Sequence, residues 1–120
     1  MRLSGRVIGL AIDVHRHLGP GLLESAYEEC LCHDLRAAQV PFERQVPLPI
    51  VYKDARLDCG YRMDIVVANR LVLEIKSVYH VMPIHKAQLL TYLRLSGRRV
   101  GLLINFNNVV LKDGIHRLMV

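Results

Sequence analysis

The sequence predicts a mixed α/β (α+β) domain, with an antiparallel meander of strands followed by one helical crossover to a last strand. Three features lead there. Two stretches near the N-terminus carry apolar residues at helical spacing. Three extended runs follow, separated by turn residues. A further helical stretch then precedes a wholly apolar strand. The 120 residues suit one domain over 1–120 with one hydrophobic core, aliphatic because Leu, Ile and Val dominate and Trp is absent.

The first helix is expected from about Ser4 to Leu18, on the spacing of Val7, Ile8, Ala11, Ile12, His15 and Leu18. Gly19 can end it and Pro20 can start the next. That second helix runs from about Leu22 to Ala38, with a stripe of Leu23, Tyr27, Cys30, Leu31, Leu35 and Ala38. Glu24, Glu28 and Glu29 lie in its first two turns, where the helix dipole favours negative charge. Pro41 closes it. Phe42 to Tyr52 reads as extended, and Pro47 and Pro49 make it an edge or irregular strand. Lys53 to Arg56 is a turn, and Leu57 to Val67 and Leu71 to Val78 are strands joined by Ala68-Asn69-Arg70. Pro83 opens a third helix that Gly97 ends. Arg99 to Phe106 is a strand buried on both faces, Asn107-Asn108 a turn, and Val109 to Val120 either a strand or a short helix.

Composition narrows the function. An apolar share of 52% excludes a disordered chain. Sixteen Lys and Arg against eleven Asp and Glu give +5, a balance that suits a polyanionic partner such as nucleic acid. No run of like charge forms a tail, so a positive patch must be made by folding. Cys30, Cys32 and Cys59 have neither zinc nor C-x-x-C spacing and read as free thiols of a reducing cytoplasm. No apolar stretch is long enough to span a bilayer, and the stretch from Met1 to Arg6 is not the start of a signal segment.

The chemistry gathers on two strands. Along the Leu71 strand, Val72, Glu74 and Lys76 face one side and Leu71, Leu73 and Ile75 the other. A Glu and a Lys on an apolar face need partners. With a three-residue loop at 68–70, Val67 faces Leu71, and Asp64 therefore faces Glu74, Cβ to Cβ about 4.5–5.5 Å. A two-residue turn would put Asp64 on the opposite face. Two carboxylates that close require a cation between them or a proton on one. Oxygen donors of this kind, with the Ile75 carbonyl as a third, suit Mg²⁺ or Mn²⁺. Lys76 beside them can orient a water or stabilise developing negative charge, which is what phosphodiester hydrolysis needs. The same residues also fit a plain buried ion pair of Lys76 with Asp64 or Glu74.

Gly21-Leu22-Leu23-Glu24-Ser25-Ala26-Tyr27 spells G-x-x-E-x-x-Y, preceded by Leu18-Gly19-Pro20 and followed by Asp64, Glu74-Ile75-Lys76 and His85-Lys86-Ala87-Gln88. From about Arg6 to Leu118 the chain resembles the GxxExxY family of small prokaryotic proteins, placed in the PD-(D/E)XK nuclease superfamily. The resemblance implies a restriction-endonuclease-like αβββαβ core, here preceded by an extra N-terminal helix. It implies Asp64 and Glu74 as metal ligands, Lys76 as the catalytic lysine, and Glu24 as an acid of the first core helix, holding metal directly or through water. It implies Gln88 as a polar residue that contacts the site. The superfamily motif begins Pro-Asp, whereas Met63 precedes Asp64 here.

Taken alone, Glu24 is also a carboxylate favoured by the helix dipole, Tyr27 a core ring with a bonded hydroxyl, and Gln88 part of a polar stripe with His85 and Tyr92. His15 and His17 point to different sides of a helix and are no metal pair. The leading expectation is a Mg²⁺- or Mn²⁺-dependent nuclease, acting on DNA in preference to RNA. Arg62, Lys86, Arg44 and Arg94 are candidate phosphate contacts, along with Arg16, Arg98 and Arg99. A non-catalytic nucleic-acid-binding or interaction module on the same fold is the alternative. A homodimer through Val81 and Met82 or through 115–120 is a further expectation.

Overall fold

The computed structural model describes residues 2–120. Met1, the first residue of the stretch read above as no signal segment, lies outside them. Helix α1 spans Leu3–Leu18 and α2 spans Glu24–Ala37. Strand β1 is Phe42–Pro47, β2 Ile50–Tyr52, β3 Ala55–Leu57, β4 Arg62–Val67 and β5 Leu71–Lys76. Helix α3, Pro83–Ser96, leads to β6, Val100–Asn105. The last segment is both of the expected alternatives in turn, a 3-10 turn at Leu111–Gly114 and then strand β7, Ile115–Met119. Five strands form one sheet in the order β1-β4-β5-β6-β7, and β2 and β3 form a separate hairpin. From α2 onward the αβββαβ order is present, with that hairpin inserted and β7 added.

The sheet carries helices on both faces. Val7, Ala11 and Val14 of α1 and Tyr27, Leu31 and Leu35 of α2 bury against Ile65, Leu73, Ile75 and Ile104. Leu89 and Leu93 of α3 bury against Val66, Val72 and Leu103 on the other face. This is why β6 is apolar almost throughout: both of its faces are covered. At Gly101 a Cβ would lie 2.9 Å from Leu89 Cδ1, so the missing side chain lets α3 sit close to the sheet.

The three-residue loop behaves as expected, and its chemistry explains why. Ala68 and Asn69 take φ of 50° and 56°, and Arg70 N–H closes the turn on Val67 O. Arg70 is left over as a bulge, so Val67 pairs with Leu71, Val66 with Val72 and Ile65 with Leu73.

Several boundaries differ from the reading of the sequence: the extended run Phe42 to Tyr52 is two strands in different sheets, and Ala55 and Arg56, read as turn, belong to β3. Helix α2 begins at Glu24, because Pro20 and Gly21, the latter at φ 102°, belong to the connection. Gly19 ends α1 at φ 67°, its N–H on His15 O. The single strand expected over 57–67 is two, because the chain turns at 58–61, where Asp58 caps the Gly60 N–H at 2.9 Å and Gly60 takes φ 80°. Strand β5 stops at Lys76, since Ser77 and Val78 turn to other partners.

Candidate active site

The β4–β5 ladder runs from the loop as far as Ile65–Leu73 and then gives way to carboxylates. Ile75 N–H donates to Asp64 Oδ2 at 2.8 Å, and Asp64 N–H donates to Glu74 Oε1 at 3.3 Å. Asp64 and Glu74 thus face each other across two strands at the register expected from the loop. An extended residue points its N–H and C=O the same way, so the Ile75 carbonyl is directed to the same side as Asp64.

Glu74 is 4% exposed. Burial first, and the negative charge of Asp64 second, push its carboxyl up to about 8. In the absence of a cation it holds a proton at neutral pH. Among the described residues no group of three or more His, Cys, Asp and Glu side chains gathers closely enough to hold a metal. The donor set at this point is therefore two carboxylates and a backbone carbonyl. That set fits a hard divalent cation, whose remaining ligands are commonly water and substrate phosphate.

Lys76 is half-buried at the end of β5 and makes no ion pair among the described residues. The plain ion pair with Asp64 or Glu74 is absent. Its charge nevertheless opposes the rise of Glu74 and of Glu24. Glu24, the first residue of α2, is raised by partial desolvation first, with Asp64 adding to the rise. It belongs electrically to the site without joining the carboxylate pair.

The G-x-x-E-x-x-Y stretch has a local explanation. Tyr27 is fully buried, stacked on Phe106 at 4.5 Å. Its hydroxyl donates to Gly19 O at 2.6 Å and accepts from Leu22 N–H at 3.1 Å, holding the loop from which Glu24 enters α2. Ser77 Oγ donates to Leu22 O at 2.6 Å and ties that loop to the end of β5 beside Lys76.

Further residues surround the site that sequence reasoning gave no role there. Glu28, one turn after Glu24, is buried and accepts from Arg44 Nε and Nη2 and from Gln45 Nε2 at 2.8–3.2 Å. Gln45 takes φ 49° in the middle of β1, at the register position across from Asp64, where β1 and β4 lose their pairing. Arg44 also reaches Glu29 at 3.0 Å. Its guanidinium, expected at phosphate, is committed to these two carboxylates inside the chain, because β1 packs beside α2. The signal available was the pair of acids at 28 and 29, directly after the motif and one turn beyond Glu24.

Gln88 sits on α3 and donates to Tyr92 OH at 2.9 Å. Burial first, and the charge of Glu74 second, raise the Tyr92 phenol. Tyr61 meets it edge-on at 6.1 Å. Tyr61, Gln88, Tyr92, His85 and Ile50 line a cleft of about 400 Å³. His85 Nδ1 accepts from Met82 N–H at the start of α3. Arg62 is exposed two residues before Asp64, and Lys86 is half-buried in the first turn of α3. Arg94 lies exposed in the last turn, toward the opposite end of that helix. His15 is a bonded core side chain, its Nε2 on Asn108 O at 2.8 Å, and His17 is exposed on Asp13. The three cysteines are free, and no helix among the described residues is long and apolar enough to cross a membrane.

The core is α–β–β–β–α–β, with an acid pair where β4 and β5 part and a lysine two residues on. The family model of the PD-(D/E)XK nuclease superfamily matches residues 1–118, and the chain belongs to that superfamily, with its restriction-endonuclease-like fold. No curated protein and no solved structure matches the chain. Nucleases of this superfamily generally use divalent metal ions and act on nucleic acid.

Proposed function

We propose that the protein is a Mg²⁺- or Mn²⁺-dependent nuclease that hydrolyses phosphodiester bonds of DNA, working in the cytoplasm as a member of the GxxExxY group. The observation that carries this reading is a buried Glu74 bonded to the Asp64 backbone, with an unpaired Lys76 two residues further along the strand. Asp64, Glu74 and the Ile75 carbonyl would hold the metal, and Glu24 would reach it through water. A divalent ion bound there supplies a Lewis acid for the phosphate and lowers the pKa of a bound water.

The chain's own residues do the rest. Glu74 gives up its proton on binding, and Asp64 stays fixed by the Ile75 N–H. Lys76 holds the attacking water in place and stabilises the charge that develops on phosphorus oxygens. Gln88 and Tyr92 border the substrate cleft, and Arg62 and Lys86 are the nearby cations that suit flanking phosphates. Cutting both strands of a duplex with so small a chain calls for a twofold dimer. Met82 and Met119, both more than half exposed, mark the two faces on which such a dimer is expected.

The test is calorimetry with Mg²⁺ and Mn²⁺ in two buffers of different ionisation enthalpy, with and without a DNA duplex, followed by cleavage assays on DNA and RNA. Binding near one ion per chain should release a proton at pH 7, a release that Asp64→Ala/Glu74→Ala abolishes. Cleavage should vanish in Asp64→Asn and in Glu74→Gln. Wild-type protein that cuts neither DNA nor RNA with either ion would refute the reading, as would full cleavage by either variant.

A further inference from the structure

At the end of the sheet remote from the carboxylates, five arginines from four segments come together. Arg2 precedes α1, Arg70 is the bulged loop residue, Arg98 and Arg99 lie between α3 and β6, and Arg117 is on β7. Arg2, Arg70 and Arg117 line a cleft of about 450 Å³ with Leu71 and Val100. Arg70 and Val100 also line an adjoining cleft of about 290 Å³, whose other walls include Arg98 and Arg99. No acidic side chain lines either cleft. None of the five is in an ion pair among the described residues. Arg98 bonds the uncharged Asn69, at 2.6 Å to Oδ1.

Among the described residues Arg44 alone of the Lys and Arg side chains is in an ion pair, and five of the sixteen Lys and Arg gather at these clefts. Arg44 is neutralised by Glu28 and Glu29, which leaves Arg62, Lys76 and Lys86 as the cations near the carboxylates. A polyanion therefore meets a second cluster of cations, with no acid among them, at the end opposite the carboxylates. Guanidinium groups in clefts without acids match phosphodiester oxygens in pairs. From Leu71 at the clefts to Lys76 at the site is five strand residues, about 17 Å. That distance is about five nucleotide steps of a B-form strand.

We propose that this arginine cleft is a second docking site, one that binds the phosphodiester backbone of DNA away from the scissile bond. The proposal rests on the nuclease reading for the identity of the polyanion. It makes the site a grip for long substrates, and a substrate of two or three nucleotides cannot reach both places.

The experiment measures binding of a 20-base-pair duplex between 50 and 200 mM salt, by fluorescence anisotropy, for wild type and for Arg2→Gln/Arg70→Gln/Arg117→Gln. The dependence of log affinity on log salt should flatten by about 2–3, as expected for three lost phosphate contacts. The triple Arg→Lys variant should restore it. If the Gln variant melts below wild type, Arg70→Gln/Arg117→Gln serves instead, with a flattening of about 2. An unchanged slope and affinity in the Gln variant, or no duplex binding by wild type at 50 mM salt, would overturn the inference. Cleavage separates the two ideas. Weakened binding by the variant, with wild type that never cuts, leaves the docking site standing and removes the nuclease reading. Normal cutting with an unchanged KM on long DNA removes the docking site alone.

Discussion

Glu74 gives the sharpest test of the site, because its cost is measurable without any substrate. Its carboxyl, ordinarily at 4.5, stands at about 8 in the fold, chiefly through burial and then through Asp64. A tenfold change in proton affinity is worth about 1.4 kcal/mol, so ionising Glu74 in the metal-free protein costs up to about 5 kcal/mol. For an acid whose pKa rises on folding, the folded state binds the extra proton between the two values. Its stability contribution is complete below 4.5, falls as pH rises toward 8 and is gone above it. Glu74→Gln stays neutral throughout and should show no such loss. The wild type and this variant should therefore match near pH 4.5 and diverge by several kcal/mol at pH 8, against a total stability of about 5–15 kcal/mol for a domain of this kind. Glu24 shifts in the same direction but is common to both proteins and cancels. Urea unfolding in EDTA at half-unit pH intervals reads the difference directly. Parallel curves for the two proteins would show that Glu74 is not a buried, protonated carboxyl and would remove the basis of the site. Added Mg²⁺ should recover the wild type at pH 8 and leave the variant unchanged.

Other outcomes follow from the same contacts. Lys76→Met should leave Mg²⁺ affinity within a few fold of wild type and lower single-turnover cleavage by about 10²–10³, the usual loss of one stabilising donor; unaltered cleavage would take Lys76 out of the chemistry. Tyr27→Phe loses the bonds to Gly19 O and Leu22 N–H and should cost about 1–3 kcal/mol in thermal unfolding, with cleavage reduced because Glu24 is released. Arg44→Ala leaves buried Glu28 with Gln45 as its only partner among the described residues and should cost about 2–4 kcal/mol, whereas Arg44→Ala/Glu28→Gln should recover part of it; additive losses in the double variant would contradict the pairing.

The site was legible in the sequence as far as local rules reach. Helical spacing marked α1, α2 and α3, and Pro83 and Gly97 bounded the last of these. Alternation along β5 put Glu74 on the same face as Val72. The length of one turn, Ala68-Asn69-Arg70, set the register that brings Asp64 opposite Glu74, because pairing in a hairpin is counted outward from its loop. The break at 58–61 was missed, since Asp58 capping the Gly60 N–H is a side-chain choice that apolar alternation does not report. What only the tertiary structure decided are the meetings between distant segments. Packing of α2 against β1 takes Arg44 from phosphate and gives it to Glu28 and Glu29. Packing of α3 on the other face brings Tyr92 edge-on to Tyr61, and the return of β7 carries Arg117 to Arg2 and Arg70. Periodicity and turn chemistry are properties of neighbours along the chain, and they settle which way a residue faces. Which residue it then meets depends on how helices seat on the two faces of the sheet, and that is set by the whole core at once.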